Sequence, residues 1–420
     1  MNLRKLTGVA VAAVLALPMF TSGANAYELV IPTLDYRTGP YAPNGIPVAN
    51  GFTDYLNMLN ERDGGIGGIP ARLLECETAY NTEKGVECYE ATKGEGALVY
   101  QPLSTGITYQ LIPKATADGI PIHSMGYGRT SAKNGKVFSH VFNYPVNYWD
   151  GASVGVNHFK KQAGGSLEGK KITLLHFNGA YGKEPIPTLE ALSAQEGFSL
   201  NTIAIDYPGQ EQKSQWLQIR RERPDYVLFW GWGVMNQVAV QEASNIRFPM
   251  ENFMGIWWSG AELDVIPAGD GANGYKALQF HNVGNDFPVF ADIQKHVLDA
   301  GKAAGAGDQI GTVLYNRGVY AAFLAAEAAK AAQAANGTKD ITPAMMRDAM
   351  EALKIDEAVM AAAGLPGFGP EFQVTCENHG GGGMAAVSQW DAAAQSWSLV
   401  SEFEASDNAI IEPLIMADSK

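Results

Sequence analysis

The fold of this chain is decided by residues 225–262, which read DYVLFWGWGVMNQVAVQEASNIRFPMENFMGIWWSGAE. The stretch opens with a short apolar run at Tyr226–Trp230, and a glycine-containing turn follows it. An amphipathic segment from Met235 to Ser244 comes next, and a second apolar run ends at Trp258. This order predicts a strand, a loop, a helix and a strand. That is the unit of a parallel sheet, in which ligands bind beyond the carboxyl ends of the strands.

Three tryptophans of this stretch, Trp232, Trp257 and Trp258, fall where the predicted strands end. One interpretation is that their rings fill a core, because large aromatic side chains are highly buried on average. The other is that they form the wall of a ligand cleft. The stretch alone leaves both interpretations open.

The rest of the chain repeats the same alternation in two series. Strand-like apolar runs lie at 29–34, 72–76, 97–100 and 120–123 in the first series, and at 172–177, 202–205, 226–230 and 253–258 in the second. Helical patterns separate them. Two strand–helix series predict an α/β protein with two lobes, each a parallel β-sheet flanked by helices. Residues 137–148, extended and aromatic, suit a segment that crosses from one lobe to the other.

The first 26 residues have the pattern of a signal peptide. Arg4 and Lys5 precede an apolar run from Val9 to Phe20, and small residues around Ala26 resemble a signal-peptidase site. We therefore expect an exported mature chain that begins near Tyr27. No later stretch has the roughly 18 unbroken apolar residues of a transmembrane helix, so we expect a protein that is not embedded in a membrane.

The charge and the cysteine content further restrict the functions that this chain can have. The predicted mature chain has 28 Lys and Arg residues against 44 Asp and Glu residues, a formal charge of −16. Such an acidic chain argues against nucleic acid as a partner. Cys76 and Cys88 lie at a strand end and in the next helix, where they could pair in an oxidising compartment, and this pairing would leave Cys376 free.

Motifs of known enzymes are absent from the sequence. It has no HExxH, no GxSxG, no GxxxxGK[ST] and no paired CxxC. Cys376, Glu377 and His379 are close in sequence, so a metal site or a secreted hydrolase with a cysteine nucleophile is an alternative, although nothing in the pattern positions catalytic partners around them. We predict no catalytic residue, no metal site and no cofactor.

The loops at the predicted strand ends carry hydroxyl and aromatic groups. Ser104, Thr105 and Gly106 open a helix, where free N–H groups and the positive end of the helix dipole favour an anion such as a carboxylate. Helix capping alone would also explain Ser and Thr there. Arg37 or Arg129, each on another loop, could bind a carboxylate through its guanidinium.

Four motifs together resemble the solute-binding proteins of the branched-chain amino acid (Leu/Ile/Val-type) ABC transporters, which have the type I periplasmic binding fold. They are TGPYAPNG at 38–45, NERDGGIGGIPARL at 60–73, YQPLSTGITYQL at 100–111 and HFNGAYGKEPIPTLEAL at 176–192. The resemblance implies two lobes joined by three crossovers near 143–148, 279–284 and 370–376, with the ligand cleft between them. The expected lobes comprise residues 27–145 with 283–374, and residues 146–282 with 375–420.

The resemblance also implies a binding site, a location and partners. The expected ligand-binding residues are Tyr41, Ser104, Thr105, Gly106, Tyr127, Arg129 and Thr130 from lobe one, and Tyr181, Trp232, Trp257 and Trp258 from lobe two. The expected protein is a periplasmic monomer that captures a small solute by hinge closure and delivers it to ABC permease subunits. A ligand-sensing module for a membrane receptor would use the same lobes.

One departure from the family bears on the ligand. Its amino-acid binders meet the α-ammonium with an acidic side chain at the position that here corresponds to Trp257. Burying an ammonium without a counter-charge is costly. We therefore expect a carboxylate with an apolar or aromatic body, which an indole suits. A quaternary ammonium, a branched-chain amino acid and an amide are the alternatives.

Overall fold

The computed structural model describes residues 27–420, so the signal peptide predicted at 1–26 lies outside the described residues. The first section of the chain forms β1 Leu29–Asp35, α1 Ala42–Asp63, β2 Ala71–Glu77, α2 Thr82–Thr92, α3 Thr105–Asp118, β3 Ile122–His123 and β4 Val141–Phe142. These strands build one parallel sheet. β1 pairs with β2, the segment 97–101 bridges β1 to β3, and β3 pairs with β4.

The second section carries a second sheet with its own helices. It contains α4 Tyr148–Gln162, β5 Lys171–Phe177, α5 Ala180–Lys183, α6 Ile186–Glu196, β6 Ser199–Ile205, α7 Lys213–Glu222, β7 Tyr226–Trp230, α8 Val234–Asn245, β8 Phe253–Gly255, α9 Glu262–Val265 and β9 Lys276–Gln279. β5 to β9 pair in parallel in the order β6-β5-β7-β8-β9. The strands predicted at 172–177, 202–205 and 226–230 are thus confirmed. The fourth run, predicted at 253–258, forms a shorter strand, because Trp257 and Trp258 belong to a 3₁₀ turn after β8.

The last section packs a helix on the first section and adds strands to the second sheet. It contains α10 Pro288–Ile293, α11 Val313–Asn336, α12 Pro343–Glu351, β10 Lys354–Ile355, α13 Glu357–Ala362, β11 Phe372–Gln373, β12 Met384–Asp391, β13 Ser396–Leu399, β14 Glu404–Ala405 and α14 Asn408–Asp418. Helix α11 packs against α1, while β12 joins the second sheet antiparallel to β9 and extends it to β13. The second sheet is therefore mixed, whereas the sequence predicted a purely parallel one.

The molecule has two lobes, as the resemblance implied. Each has its own sheet, and the chain passes between the sheets after β4, after β9 and after β11. None of the described helices is long and apolar enough to cross a membrane. A disulfide joins Cys76 and Cys88, so the pairing considered from the sequence is present in the structure, and Cys376 is free.

Close helix packing holds lobe one together. Gly51 of α1 faces Tyr315 of α11, where an added Cβ would lie 2.1 Å from the Tyr315 carbonyl oxygen. Gly318 of α11 likewise faces Val48, with an added Cβ 2.0 Å from its carbonyl oxygen. Only glycine fits at both positions, because any side chain would push the two backbones apart. This contact fixes α11, which carries the buried Arg317 toward lobe two.

Candidate ligand-binding site

A small cavity lies between the lobes, at the carboxyl ends of their strands. Its lining residues are Tyr36, Tyr80, Leu103, Ser104, Thr105, Tyr127, Tyr148, Tyr181, Trp232 and Trp258. Seven of these side chains are aromatic, and none carries a formal charge at neutral pH. The cavity measures about 20 Å³, room for only one or two water molecules. The two lobes are thus closed on each other, and a larger solute requires them to separate before it can enter.

The lobe-one wall includes the start of helix α3. Ser104 is the N-cap, and its hydroxyl accepts a hydrogen bond from the Ile107 N–H at 3.4 Å. The Thr105 hydroxyl accepts from the Gly128 N–H at 3.2 Å, which ties α3 to the loop after β3. The helix has 14 residues, so its amino end carries a partial positive charge toward the cavity. This end of the cavity favours an anionic group.

The lobe-two wall is built from the ends of β7 and β8 and from α4 and α5. Trp232 follows β7, Trp258 follows β8, and their rings meet edge to face with centroids 5.4 Å apart. Tyr148 begins α4, and its ring lies 5.3 Å from that of Tyr181. The Tyr181 hydroxyl donates to the Gly231 carbonyl at 2.9 Å, which fixes the ring. Four rigid rings therefore face α3 across the cavity.

The Trp232 indole N–H makes no well-aligned hydrogen bond among the described residues, although the Tyr36 hydroxyl lies near it. Trp232 is only 3% exposed and lines the cavity. An unmade hydrogen bond on a buried donor costs about 1–3 kcal/mol. A ligand acceptor or a bound water would remove this cost, so this N–H marks one point at which a solute can gain affinity.

Arg317 links the lobes directly behind Trp258. It is completely buried, and its guanidinium lies 5.0 Å from the centre of the Trp258 ring. It donates to the Trp257 carbonyl, to Gln279 Oε1 at 2.7 Å and to His281 Nε2 at 3.2 Å. Burial lowers the pKa of Arg317 to about 9, so the side chain stays charged at neutral pH. Arg317 thereby positions the Trp258 ring without lining the cavity.

Three carboxylates of lobe two also contact donors of lobe one. Asp264 accepts from Asn44 Nδ2 at 3.0 Å, and Glu262 accepts from the Val313 N–H at 3.1 Å. Glu184 accepts from the Tyr109 hydroxyl and from the Thr130 N–H. Burial raises the pKa of Asp264 to about 6 and that of Glu184 to about 8. These three acids lie where the lobes meet, and burial also raises the pKa of Glu262 to about 7.

Six of the eleven residues predicted from the sequence line this cavity: Ser104, Thr105, Tyr127, Tyr181, Trp232 and Trp258. Gly106 lies farther out, in a cavity of about 320 Å³ at the mouth of the cleft. This outer cavity shares Ser104 and Tyr181 with the small cavity between the lobes. Tyr41 also lies at the mouth, where its ring contacts Tyr207 of lobe two at 5.3 Å. The structure therefore brings these residues together around one passage.

Three predicted residues lie elsewhere. Arg129 is turned toward the C-terminal helix, where it donates to the Asp418 carboxylate at 3.1 Å and packs over the Phe138 ring. Thr130 contacts Glu184 through its backbone N–H. Trp257 is completely buried, and its ring stacks behind Tyr148 with centroids 6.0 Å apart. Arg37, the other candidate for a carboxylate, is bonded to Glu75.

Sequence reasoning missed four lining residues: Tyr36, Tyr80, Leu103 and Tyr148. Tyr36 lies in the loop after β1. Its position directly after a predicted strand could have identified it as a lining residue. Tyr80 and Leu103 have positive φ angles of 59° and 43°. That backbone conformation is uncommon for residues other than glycine and has no signature in the sequence.

Comparisons with known proteins agree with this architecture. The profile of the family described as periplasmic binding protein matches residues 28–395. A solved structure described as an ABC transporter permease from the Pseudomonas fluorescens group is 38% identical, covers 93% of this chain and 96% of its own, and has a TM-score of 0.86. No curated protein sequence matches the chain significantly.

Two more distant structures share the fold. One is a branched-chain amino acid ABC transporter protein from Thermus thermophilus with bound valine, 18% identical, covering 92% of this chain and 98% of its own, with a TM-score of 0.77. The other is a solute-binding protein from R. palustris in complex with benzoate, 18% identical, covering 91% of this chain and 98% of its own, with a TM-score of 0.69. The two-lobed type I fold is thereby established for this chain.

Proposed function

Because this chain belongs to the periplasmic binding protein family, we propose that it captures a small organic solute between its lobes and presents it to the permease of an ABC importer. The observation that carries this proposal is a cavity walled by seven aromatic rings from both lobes, with a helix start at one end. Closure around a solute then gives contacts on both sides, which stabilises the closed form.

The ligand that suits this cavity has a carboxylate or similar anion at the start of α3 and an apolar or aromatic body between the rings. Aromatic pairs contribute about 0.5–1.5 kcal/mol each beyond burial. The related protein from R. palustris that binds benzoate is consistent with such a ligand. An α-amino acid fits less well, because no acidic side chain lines this cavity to meet the α-ammonium.

Small-angle X-ray scattering tests hinge capture. The protein is unfolded, freed of any bound solute and refolded, and the solute that co-purifies with it is identified by mass spectrometry. Adding this solute back should lower the radius of gyration of the refolded protein, because the open form closes. Scattering curves that stay identical at saturating solute would contradict capture by closure.

Ser104→Ala should weaken solute binding by about 1–3 kcal/mol, because the change removes a buried hydroxyl at the anion-favouring end of the cavity. Titration calorimetry measures this loss. Thr342→Ala is a matched control, since Thr342 is the N-cap of α12 and its hydroxyl accepts from the Met345 N–H. It should lower stability by about 1 kcal/mol and leave affinity unchanged. Equal affinities for the two variants would remove Ser104 from the site.

Solute affinity should rise as the pH falls from 8 to 6, by up to about 50-fold. In the closed form burial raises the pKa of Glu184 to about 8, whereas separating the lobes returns this carboxyl to water and to its ordinary range near 4.5. The closed form therefore binds the proton more tightly, and closure loses this contribution as the pH rises through 8. The measurement requires a solute that has no pKa of its own between pH 6 and pH 8.

Glu184→Gln should reduce this pH dependence, because a neutral amide takes the place of the protonated acid, while Glu262 and Asp264 still titrate. Glu190→Gln is the matched control, since Glu190 is an exposed carboxylate on the neighbouring helix α6. Calorimetry at pH 6 and pH 8 measures the solute affinity of both variants, and only Glu184→Gln should change its dependence on pH. An unchanged slope in Glu184→Gln would show that this carboxyl stays hydrated in the closed form.

A further inference from the structure

A second cavity lies inside lobe one, directly behind the ligand cleft. It measures about 20 Å³ and shares Leu103, Tyr127 and Trp258 with the first cavity. Its remaining lining residues are Thr33, Asp35, Val48, Phe52, Gln101, Met125 and Ala321. Only three side chains thus separate the two spaces, and one of them, Trp258, belongs to lobe two. Separation of the lobes would withdraw Trp258 and join the two cavities.

Asp35 is the last residue of β1 and lines this second cavity, which we call the inner cavity. Its side chain is 4% exposed, yet its only hydrogen bond among the described residues comes from the Thr33 hydroxyl to Oδ2 at 2.6 Å. Oδ1 accepts no hydrogen bond from the described residues, and Arg37 acts on this carboxyl by charge alone, since its guanidinium is bonded to Glu75. Burial raises its pKa to about 7, and the nearby Glu75 adds to the rise. A carboxyl with so little contact with solvent is stabilised by any donor that reaches it.

Gln101 presents a second free acceptor to the same cavity. His123 Nε2 lies 3.1 Å from the Tyr144 carbonyl oxygen, which can only accept, so this ring nitrogen carries the proton. Burial lowers the pKa of His123 to about 4, so the ring is neutral and its Nδ1 accepts. The Gln101 amide nitrogen, 3.1 Å from Nδ1, must therefore donate to it. Gln101 Oε1 is left without a hydrogen bond among the described residues.

The inner cavity thus offers two acceptors, one of them a carboxyl, beside the rings of Tyr127 and Trp258. No basic side chain lines either cavity. Acceptors without a donor select a donor group, and a carboxyl flanked by aromatic faces favours a cation. The acidic chain, with 44 Asp and Glu against 30 Lys and Arg, also attracts cations rather than repelling them.

We propose that the inner cavity is a subsite for an amino group at the far end of the solute, and that Asp35 is its counter-charge. The inference rests on the proposed capture in the cleft and names the chemical class of the solute: a small carboxylate whose amine is separated from the carboxylate by an apolar or aromatic body. The side chains of Leu103, Tyr127 and Trp258 separate the two cavities, so an amine directly beside a carboxylate would not reach both ends of the site.

The test uses two probes that share a ring and a carboxylate, 4-(aminomethyl)benzoate and 4-methylbenzoate. Calorimetry on the solute-free protein should give at least a ten-fold tighter Kd for the amine. Asp35→Asn, which keeps the shape of the side chain, should abolish this preference while leaving the affinity for 4-methylbenzoate within about two-fold. Asp54→Asn is the matched control, a second buried carboxylate of lobe one that is bonded to Tyr315 and should leave the preference intact.

Equal affinity for the two probes, or a preference that survives in Asp35→Asn, overturns the subsite. Binding of neither probe also overturns the proposed solute class. In each case, capture of a solute in the cleft is tested separately. If 4-methylbenzoate or the co-purifying solute binds and Trp258→Ala abolishes the binding, the proposed function stands without the subsite. If no solute binding depends on the cleft, both fail.

Discussion

Trp258→Ala is expected to weaken binding of the solute by about 30- to 1,000-fold. Trp258 presents its ring to the cavity and packs edge to face on Trp232 and Tyr127, with centroids 5.4 and 5.9 Å apart. Truncation of a buried aromatic anchor typically costs about 2–4 kcal/mol of binding, which corresponds to that range in Kd. Calorimetric titration with the co-purifying solute measures the loss.

Trp257→Ala provides a matched control for this effect. The indole N–H groups of both tryptophans donate to the same acceptor, the Gly126 carbonyl, at 2.8 Å for Trp257 and 3.0 Å for Trp258. Both variants therefore lose a ring of equal size and the same bond between the lobes. Only Trp258 lines the cavity, so its variant should bind at least ten-fold more weakly than the Trp257 variant. Equal losses would mean that the tryptophans act only through closure.

Trp257→Ala should instead lower the free energy of unfolding by about 3–5 kcal/mol, the usual cost of deleting a fully buried large aromatic ring. The ring is enclosed by Tyr148, by Phe280 and by helix α4, where an added Cβ on Gly151 would lie 2.6 Å from Trp257 Cζ3. Neighbours packed this closely cannot collapse into the space that the ring would leave. Urea unfolding followed by circular dichroism measures the change.

Leu217→Ala is the reference for that measurement. Leu217 lies on α7 and is 59% exposed, so its truncation should change stability by no more than about 0.5 kcal/mol. A similar small change in Trp257→Ala would contradict the packing described here and would return Trp257 to the role of a ligand contact.

Much of the fold follows from the sequence because it depends on local patterns. Apolar runs at 172–177 and 226–230 become β5 and β7, and Ser104 caps α3 at the predicted helix start. The tryptophans after β7 and β8 lie at strand ends, so the cleft interpretation could be made from spacing alone. Trp232 and Trp258 line the cavity, and their contact with a solute stays a prediction.

The rest depends on side-chain direction, which spacing does not encode. Trp257 and Trp258 are neighbours in one 3₁₀ turn, yet one ring enters the core and the other the cavity. Arg129 was expected to bind a carboxylate, but Asp418, 289 residues away in the chain, supplies that carboxylate from the C-terminal helix. The inner cavity at Asp35 likewise arises only when α1, α11 and the first sheet are packed together.

A crystal structure of the protein with its co-purifying solute is the most direct test of capture between the lobes. We expect density for the solute in contact with Trp232 and Trp258 of lobe two and with Ser104 or Thr105 of lobe one. Solute bound to one lobe alone, or at another surface while these rings remain packed on each other, would contradict the account.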